Sequence, residues 1–279
     1  MFDHQEELDQ YLENIEALIK NKQYARLRDL FLPMEPADIA LLLEEAGEEE
    51  MPLLYRLLPK ELAADVFAFL EPDVQEHIIN SITDAELAKI IEDLFVDDAV
   101  DMLEELPATV VKRVMRTAGP ETRSLINQFL KYPENSAGSI MTAEYIGLKK
   151  YMNVEQAFAY IRAHGVDKET IYTCFVTDAQ RRLEGVVTIK DLLMNPYDMK
   201  IQDIMDENVI KAVTTEDQEE VVDLFNKYDL MCLPVVDHED RLVGIVTVDD
   251  VVDVMEEEAT EDFEKMAAMA PSEKPYLKT

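Results

Sequence analysis

The sequence predicts a multidomain α and α+β protein: an N-terminal all-α superhelix of short helices, a tandem β-α-β-β-α pair, and a C-terminal acidic connecting helix. Three observations predict it. Apolar residues recur every twelve positions up to about residue 133. A strand-Thr-x-x-Asp sentence occurs twice, as Gly185-Val-Val-Thr-Ile-Lys-Asp-Leu-Leu193 and Gly244-Ile-Val-Thr-Val-Asp-Asp-Val-Val252. The second copy runs without a break into Asp253-Val-Met-Glu-Glu-Glu-Ala-Thr-Glu-Asp-Phe-Glu-Lys265. A duplicated sensor-like module that feeds one acidic helix has the layout of regulation, not of catalysis.

The helical part comes first. Residues 1–25 read as an N-terminal helix and 26–133 as the superhelix. Leu58, Leu70, Ile82, Leu94, Leu106, Ala118 and Leu130 are each twelve apart, and Pro59, Thr83 and Pro107 follow three of them. Pro suits the first turn of a helix, and Thr83-Asp-Ala-Glu86 has the spacing of a capping box. Each unit is then a helix of two to three turns plus a tight corner. Helices this short bury their apolar faces only by stacking, which gives a small superhelix; an irregular bundle is the other arrangement that fits. Tyr132-Pro-Glu-Asn-Ser-Ala-Gly138 carries Pro and Gly and marks the domain boundary.

Beyond it the pattern doubles. Ser139-Ile-Met141 recurs as Asp203-Ile-Met205, an offset of 64, while the Gly-containing strands recur at 244 − 185 = 59. The first copy therefore holds five extra residues, around His164 to Ile171. Val154, Ala157, Phe158 and Ile161 form an amphipathic helical stripe, as do Val221, Leu224, Phe225 and Tyr228. Thr173–Thr177 and Cys232–Val236 read as strands, each joined by an Asp-led hairpin turn to the Gly-containing strand. The first unit spans 137–200 and the second 201–256; 257–279 is the connecting helix and linker.

Composition narrows the function classes. Lys plus Arg is 26 and Asp plus Glu is 60, so the net charge is 26 − 60 = −34. Such a surface repels phosphate backbones and anionic lipid and favours cations, so nucleic acid is not expected as a partner. Cys174 and Cys232 lie in apolar stretches and are expected as buried thiols in a reducing cytosol. No run approaches the roughly 18 apolar residues of a membrane helix. The chain reads as a soluble fragment that ends, at Pro271-Ser-Glu-Lys-Pro-Tyr-Leu-Lys-Thr279, where something further would begin. The four histidines show no zinc spacing and the seven glycines form no phosphate loop. No Ser, Cys or Thr sits in a nucleophile motif, so no enzyme is expected.

The acidic helix carries the strongest candidate chemistry. On a helical wheel Asp250, Asp253, Glu257, Glu261 and Glu264 fall within an arc of about 80°. Val248, Val251, Val252, Met255, Ala259, Phe263 and Met266 cover the other side. Asp262 projects towards the apolar side, with Glu258 at its border, and a carboxylate there needs a partner. Asp97, Asp101 and Glu104 lie within an arc of about 60°, and Asp65 stands between Ala64 and Val66. Rows of carboxylates repel one another. A divalent cation relieves that repulsion; a solvated acidic face tolerates it. Hard ions such as Mg²⁺ and Ca²⁺ take oxygen ligands, and Mg²⁺ keeps several waters.

The tandem units, their Ile-Met openings and their Gly-x-Val-Thr-x-x-Asp strands resemble a pair of CBS domains. With the helical domain ending in Ser136-Ala-Gly-Ser-Ile-Met-Thr142 and the segment Glu257-Glu-Ala-Thr-Glu-Asp262, the order is similar to the cytosolic region of the MgtE family of magnesium channels. That resemblance implies that Mg²⁺ bridges acidic residues of the helical domain and the CBS domain. Here the roles fall on Asp65, Asp97 and Asp101, and on Asp250, Asp253, Glu258, Glu261 and Asp262. Ca²⁺ or Mn²⁺ accepts the same ligands. The resemblance further implies a homodimer through the CBS domains, a transmembrane domain of the same protein absent from this chain, and a place on the cytoplasmic face of the cell membrane. In adenosine-binding CBS pairs the Thr and Asp of the strand motif hold phosphate and ribose, which points to Thr188, Asp191, Thr247 and Asp250 for ATP or another adenine nucleotide. The plain alternative is that each Thr and Asp caps the helix it precedes.

The expectation is thus a Mg²⁺-sensing gate that closes when the ion screens facing carboxylates. An adenine-nucleotide-binding regulatory module and a passive docking scaffold are the alternatives.

Overall fold

In the computed structural model the described residues are 5–47, 49–166 and 168–267, with the side chains of 5–7, 9, 60–61, 257 and 261–267 outside that set. The chain divides into two compact units, Met1–Asn127 and Gln128–Thr279. The division falls within the helix Pro120–Phe129.

The first unit is helical: α1 (Gln5–Lys20), α2 (Tyr24–Phe31), α3 (Pro36–Ala46), α4 (Met51–Leu57), α5 (Lys60–Ala68), α6 (Pro72–Ser81), α7 (Asp84–Asp93), α8 (Val96–Glu105), α9 (Ala108–Thr117) and α10 (Pro120–Phe129). The last six begin twelve residues apart. Ile82, Leu94, Leu106 and Ala118 each take an extended ψ, between 141° and 164°, which stops the preceding helix. Ile82, Leu106 and Ala118 are buried, so the corner itself is a core position. Leu130, the last of the series, is exposed. Thr83 closes a capping box: its hydroxyl accepts from the Glu86 amide at 3.3 Å, and the Glu86 carboxylate accepts from the Thr83 amide at 2.8 Å. Alternate helices pack together, α3 on α5, α5 on α7 and α7 on α9, with α2, α4, α6 and α8 as the other layer. This is the two-layered stack that short amphipathic helices require. Arg113 locks one corner, donating to the Asp84 carboxylate at 2.9 Å, to the Ile82 carbonyl at 2.7 Å and to the Ile79 carbonyl.

The second unit repeats one motif. The first copy is β1 (Gly147–Leu148), α11 (Val154–His164), β2 (Thr173–Thr177), β3 (Leu183–Thr188) and α12 (Ile189–Met194). The second is β4 (Ala212–Val213), α13 (Gln218–Tyr228), β5 (Cys232–Val236), β6 (Leu242–Thr247) and α14 (Val248–Ala267). Each copy forms a three-stranded sheet, β1-β2-β3 or β4-β5-β6, with its first pair parallel and its second antiparallel. Residues 165–172 separate α11 from β2, and 229–231 separate α13 from β5; the surplus is 8 − 3 = 5 residues. Both hairpins turn on an aspartate. Asp178 Oδ1 accepts from the amides of Gln180 and Arg182, and Asp237 Oδ1 from those of Glu239 and Arg241.

The copies interlock. Thr142, next to the first Ile-Met opening, bridges to Ile245 of β6, and Asp206, next to the second, bridges to Val186 of β3. Phe175, Leu242 and Ile245 form a shared apolar cluster, with Tyr145, Leu183, Val186 and Cys232 packed on it.

One expectation about α14 needs correction. Val252 and Met255 were expected on its covered face, yet both are exposed, while Val251 and Val254 are buried. The inward stripe is thus Asp250, Val251, Val254 and Glu258. Likewise Cys174 is buried but Cys232, at the start of β5, is only half-buried.

Candidate functional site

The Thr-x-x-Asp motifs sit where a strand turns into a helix. Thr188 has an extended backbone at the N-cap of α12, and its hydroxyl accepts from the Asp191 amide at 3.1 Å. In return Asp191 Oδ2 accepts from the Thr188 amide at 2.9 Å and from its hydroxyl at 2.6 Å. Thr247 and Asp250 repeat the arrangement: Asp250 Oδ2 accepts from the Thr247 amide at 3.0 Å and from its hydroxyl at 2.7 Å. The structure therefore displays a full capping box for Thr188 and Asp191, and the carboxylate half of the same arrangement for Thr247 and Asp250. Both pairs use the Oδ2 atom of the aspartate.

The surroundings of the second motif are acidic. Burial pushes the Asp250 carboxyl up from 3.8 to about 6 despite its bonds to Thr247, and the charges of Asp249 and Asp253 push the same way. Cys232 pairs with Thr247 in the sheet. Its thiol is pushed up to about 12, mainly by burial and further by the carboxylates of Asp250, Glu169 and Asp249. Glu169 comes from the five-residue surplus of the first copy, a contribution the sequence reading did not anticipate. A surplus segment that differs between otherwise matched repeats was the available signal.

The acidic rows differ in their settings. Asp253 is exposed, and its carboxyl is raised by partial burial and by Glu256 and Asp249. Glu258 is half-buried, and its Oε1 accepts from Gln218 Nε2 at 2.8 Å. That is the partner a carboxylate at the border of the apolar face needs. The side chains of Glu257, Glu261 and Asp262 lie outside the described residues. In the helical unit, Asp97 is buried in the first turn of α8, where the helix dipole favours a negative charge. Asp101 and Glu104 face outward from the same helix. Asp65 is exposed on α5, and its carboxyl is raised by partial burial and by the charge of Asp93 from α7. The fold thus sets Asp65 near Asp93, a residue the wheel analysis did not select. Among the described residues no three His, Cys, Asp or Glu side chains converge as a metal-binding group. Nor is any described helix long and apolar enough to cross a membrane.

The chain matches two family models, the MgtE intracellular N domain over residues 34–135 and the CBS domain over 137–197 and 201–257. The magnesium transporter MgtE of Thermus thermophilus is 39% identical over 247 residues, 87% of this chain and 55% of the transporter. A crystal structure of the cytosolic domain of the Mg²⁺ channel MgtE in complex with ATP aligns with a TM-score of 0.80 and 37% identity, over 86% of this chain and 97% of that one. The crystal structure of the soluble part of a magnesium transporter aligns with a TM-score of 0.85 and 30% identity, over 90% and 99%. The chain spans 55 to 60% of the length of the curated transporters it matches.

Proposed function

Because the chain belongs to the MgtE family, as its helical N domain followed by a CBS pair, we propose that it is the Mg²⁺-responsive regulatory part of a magnesium transporter on the cytoplasmic side of the membrane. The observation that carries this reading is the similarity to MgtE cytosolic structures across both units. The acidic rows give it a physical basis. Asp65, Asp97 and Asp101 of the helical unit and Asp250, Asp253, Glu258, Glu261 and Asp262 of α14 are the proposed ligands. At low Mg²⁺ these rows repel; bound divalent ions cancel the repulsion and favour a closed arrangement, which α14 passes to a pore domain. The ions act by binding the closed state better. The raised carboxyls of Asp65, Asp250 and Asp253 fit sites that lack counter-charge. No catalytic step is assigned to the chain.

Two further features support partners. Leu193 and Met194 of α12 and Val252 and Met255 of α14 are exposed apolar side chains, which suits a homodimer through the CBS units. The similarity to an MgtE cytosolic domain in complex with ATP supports adenine-nucleotide binding as a second, compatible role, with Thr188, Asp191, Thr247 and Asp250 as the proposed residues.

Small-angle scattering during a Mg²⁺ titration tests the main reading. The radius of gyration should fall as Mg²⁺ passes through the millimolar range, and Asp97→Asn with Asp101→Asn should blunt the change. A radius that stays constant sinks it. Calorimetry with ATP, ADP and AMP tests the second role, with Asp191→Ala and Asp250→Ala expected to weaken binding.

A further inference from the structure

The segment that leads out of α10 is not a loose tether. Ser136 and Ala137 are buried, and Ser136 pairs with Asp217 in an isolated bridge. The Ala137 amide donates to the Glu216 carbonyl at 2.7 Å, and the Gly138 amide to the Thr214 carbonyl at 3.0 Å. At Gly138 an added Cβ would lie 2.7 Å from the Thr214 carbonyl oxygen and 2.7 Å from the Tyr132 ring, so only glycine permits this approach. The Gln218 amide then donates to the Asn135 carbonyl at 3.0 Å. The linker is thus bonded along the whole stretch that starts α13.

Gln218 also reaches the other way. Its side chain is 5% exposed, and its Nε2 meets Glu258 Oε1 of α14 at 2.8 Å. A carboxylate only accepts, so the amide nitrogen is the donor. The first repeat shows what this position ordinarily holds. The offset of 64 that maps Ile140-Met141 onto Ile204-Met205 maps Val154 onto Gln218. Val154 likewise bonds a leading segment through its amide, to the Met199 carbonyl at 3.0 Å. Its side chain, however, simply fills the apolar core of that repeat. Burying an amide where an apolar side chain fits costs stability unless its hydrogen bond is made. The second repeat therefore breaks its own symmetry at a residue that bonds to both the incoming linker and the outgoing helix.

We propose that Gln218 is a positioning residue that ties the linker from the helical unit to α14: its backbone holds the linker, and its side chain holds Glu258. A cation that claims Glu258 takes the carboxylate from Gln218 and releases this tie. The proposal deepens the Mg²⁺-gate reading and rests on it for the direction of signalling, but the tie itself is testable without metal.

Hydrogen exchange of the whole chain in a chelating buffer tests the tie. Glu258→Ala and Gln218→Ala should each speed exchange of the Ala137, Gly138 and Gln218 amides at least tenfold, and the two together no further than either alone. The reciprocal pair, Gln218→Glu with Glu258→Gln, restores an amide–carboxylate bond with donor and acceptor exchanged. It should bring linker protection back, which rules out simple misfolding. Unchanged linker exchange in Glu258→Ala, or no rescue by the exchanged pair, overturns the proposal. In a second arm, saturating Mg²⁺ should speed linker exchange in the unaltered chain but not in Gln218→Ala. An equal Mg²⁺ response in both overturns the proposal. No response in the unaltered chain, with the metal-free tie intact, removes the Mg²⁺ reading and leaves the tie standing.

Discussion

Gly244→Ala tests the interlock on which the CBS pair depends. An alanine Cβ there would lie 2.7 Å from Met141 Sδ, 2.7 Å from the Thr142 carbonyl oxygen and 2.9 Å from Met141 Cγ. The thioether can swing aside, but the carbonyl is fixed. Thr142 accepts from the Ile245 amide at 2.9 Å and donates to its carbonyl at 2.8 Å. A relaxed contact of about 3.5 Å requires the crossing segment to retreat by roughly 0.8 Å, which takes both bonds past useful hydrogen-bond length. Overpacking costs about 1–3 kcal/mol, and each lost bond adds about 1 kcal/mol. The expected destabilisation is therefore about 3–5 kcal/mol. Gly185→Ala is the internal comparison. Its Cβ would meet the Asp206 carbonyl oxygen and Met205 Sδ at 2.9 Å, slightly farther in both cases, so its cost should be smaller. Urea unfolding followed by near-ultraviolet circular dichroism reads the effect, because Tyr145 packs edge-on against Phe175 in the shared core. A double-mutant cycle with Met141→Ala should recover only the thioether's share. A cost below about 0.5 kcal/mol for Gly244→Ala, or full recovery through Met141→Ala, would show that the crossing segment is not held as described.

Three shorter predictions follow from buried or tightly bonded groups. Asp250 has a folded-state carboxyl raised from 3.8 to about 6, so its ionisation costs stability above pH 6, and the cost fades as pH falls from about 6 towards 4. Asp250→Asn should therefore stabilise the unit at pH 7.5, by at most about 3 kcal/mol, and much less at pH 4; an equal effect at both values in denaturant titrations refutes the assignment. Arg113→Ala removes donors to Asp84, Ile82 and Ile79 and should cost about 2–3 kcal/mol in thermal unfolding. Arg113→Lys should recover little, since an ammonium cannot span the three acceptors. Burial pushes both the Cys174 and Cys232 thiols up to about 12. At pH 8 alkylation of fully buried Cys174 in the folded chain should run far slower than in urea, with half-buried Cys232 protected less; a Cys174 rate equal in both would contradict its burial.

The two architectures were legible in the sequence for different reasons. In the helical unit one residue type does two jobs. Ile82, Leu106 and Ala118 end a helix by going extended and fill the core at the same corner. A twelve-residue apolar recurrence is therefore a direct trace of the fold. In the CBS pair, strand alternation and the repeated Thr-x-x-Asp motif mark the elements, but they do not state which opening crosses which repeat. Met141 lies against Gly244, about a hundred residues away, and the bridge beside it is too short to leave a periodic signature. The rotation of α14 is not legible in the sequence for a related reason. A helical wheel ranks faces by side-chain type. The bonds from Thr247 to Asp250 instead set the phase of the first turn, which draws Asp250 inward and leaves Val252 and Met255 outside. Gln218 carries no signal of its own in the sequence, because a glutamine is unremarkable on an amphipathic helix. Only its superposition on Val154 makes it conspicuous.

The same comparison of repeats shows how a duplicated unit acquires a direction. Both copies cap their last helix with the same Thr and Asp. In the first, Asn195 takes an extended conformation, as a residue before proline tends to, and its side chain donates to the Asp191 carbonyl at 2.8 Å. Helix α12 therefore ends after six residues. In the second copy no proline intervenes before Pro271, and α14 continues for 20 residues. At 1.5 Å per residue it reaches about 30 Å. The candidate ligands Asp250, Asp253 and Glu258 thus lie on one long helix that begins where β6 ends. A small rotation about the Thr247 cap moves the far end by a distance proportional to that length, whereas the same rotation of α12 moves almost nothing. The asymmetry comes from one dipeptide, Asn195-Pro196, present in one copy and absent from the other. It leaves the first repeat with a short final helix and gives the second a long one that carries the candidate ligands.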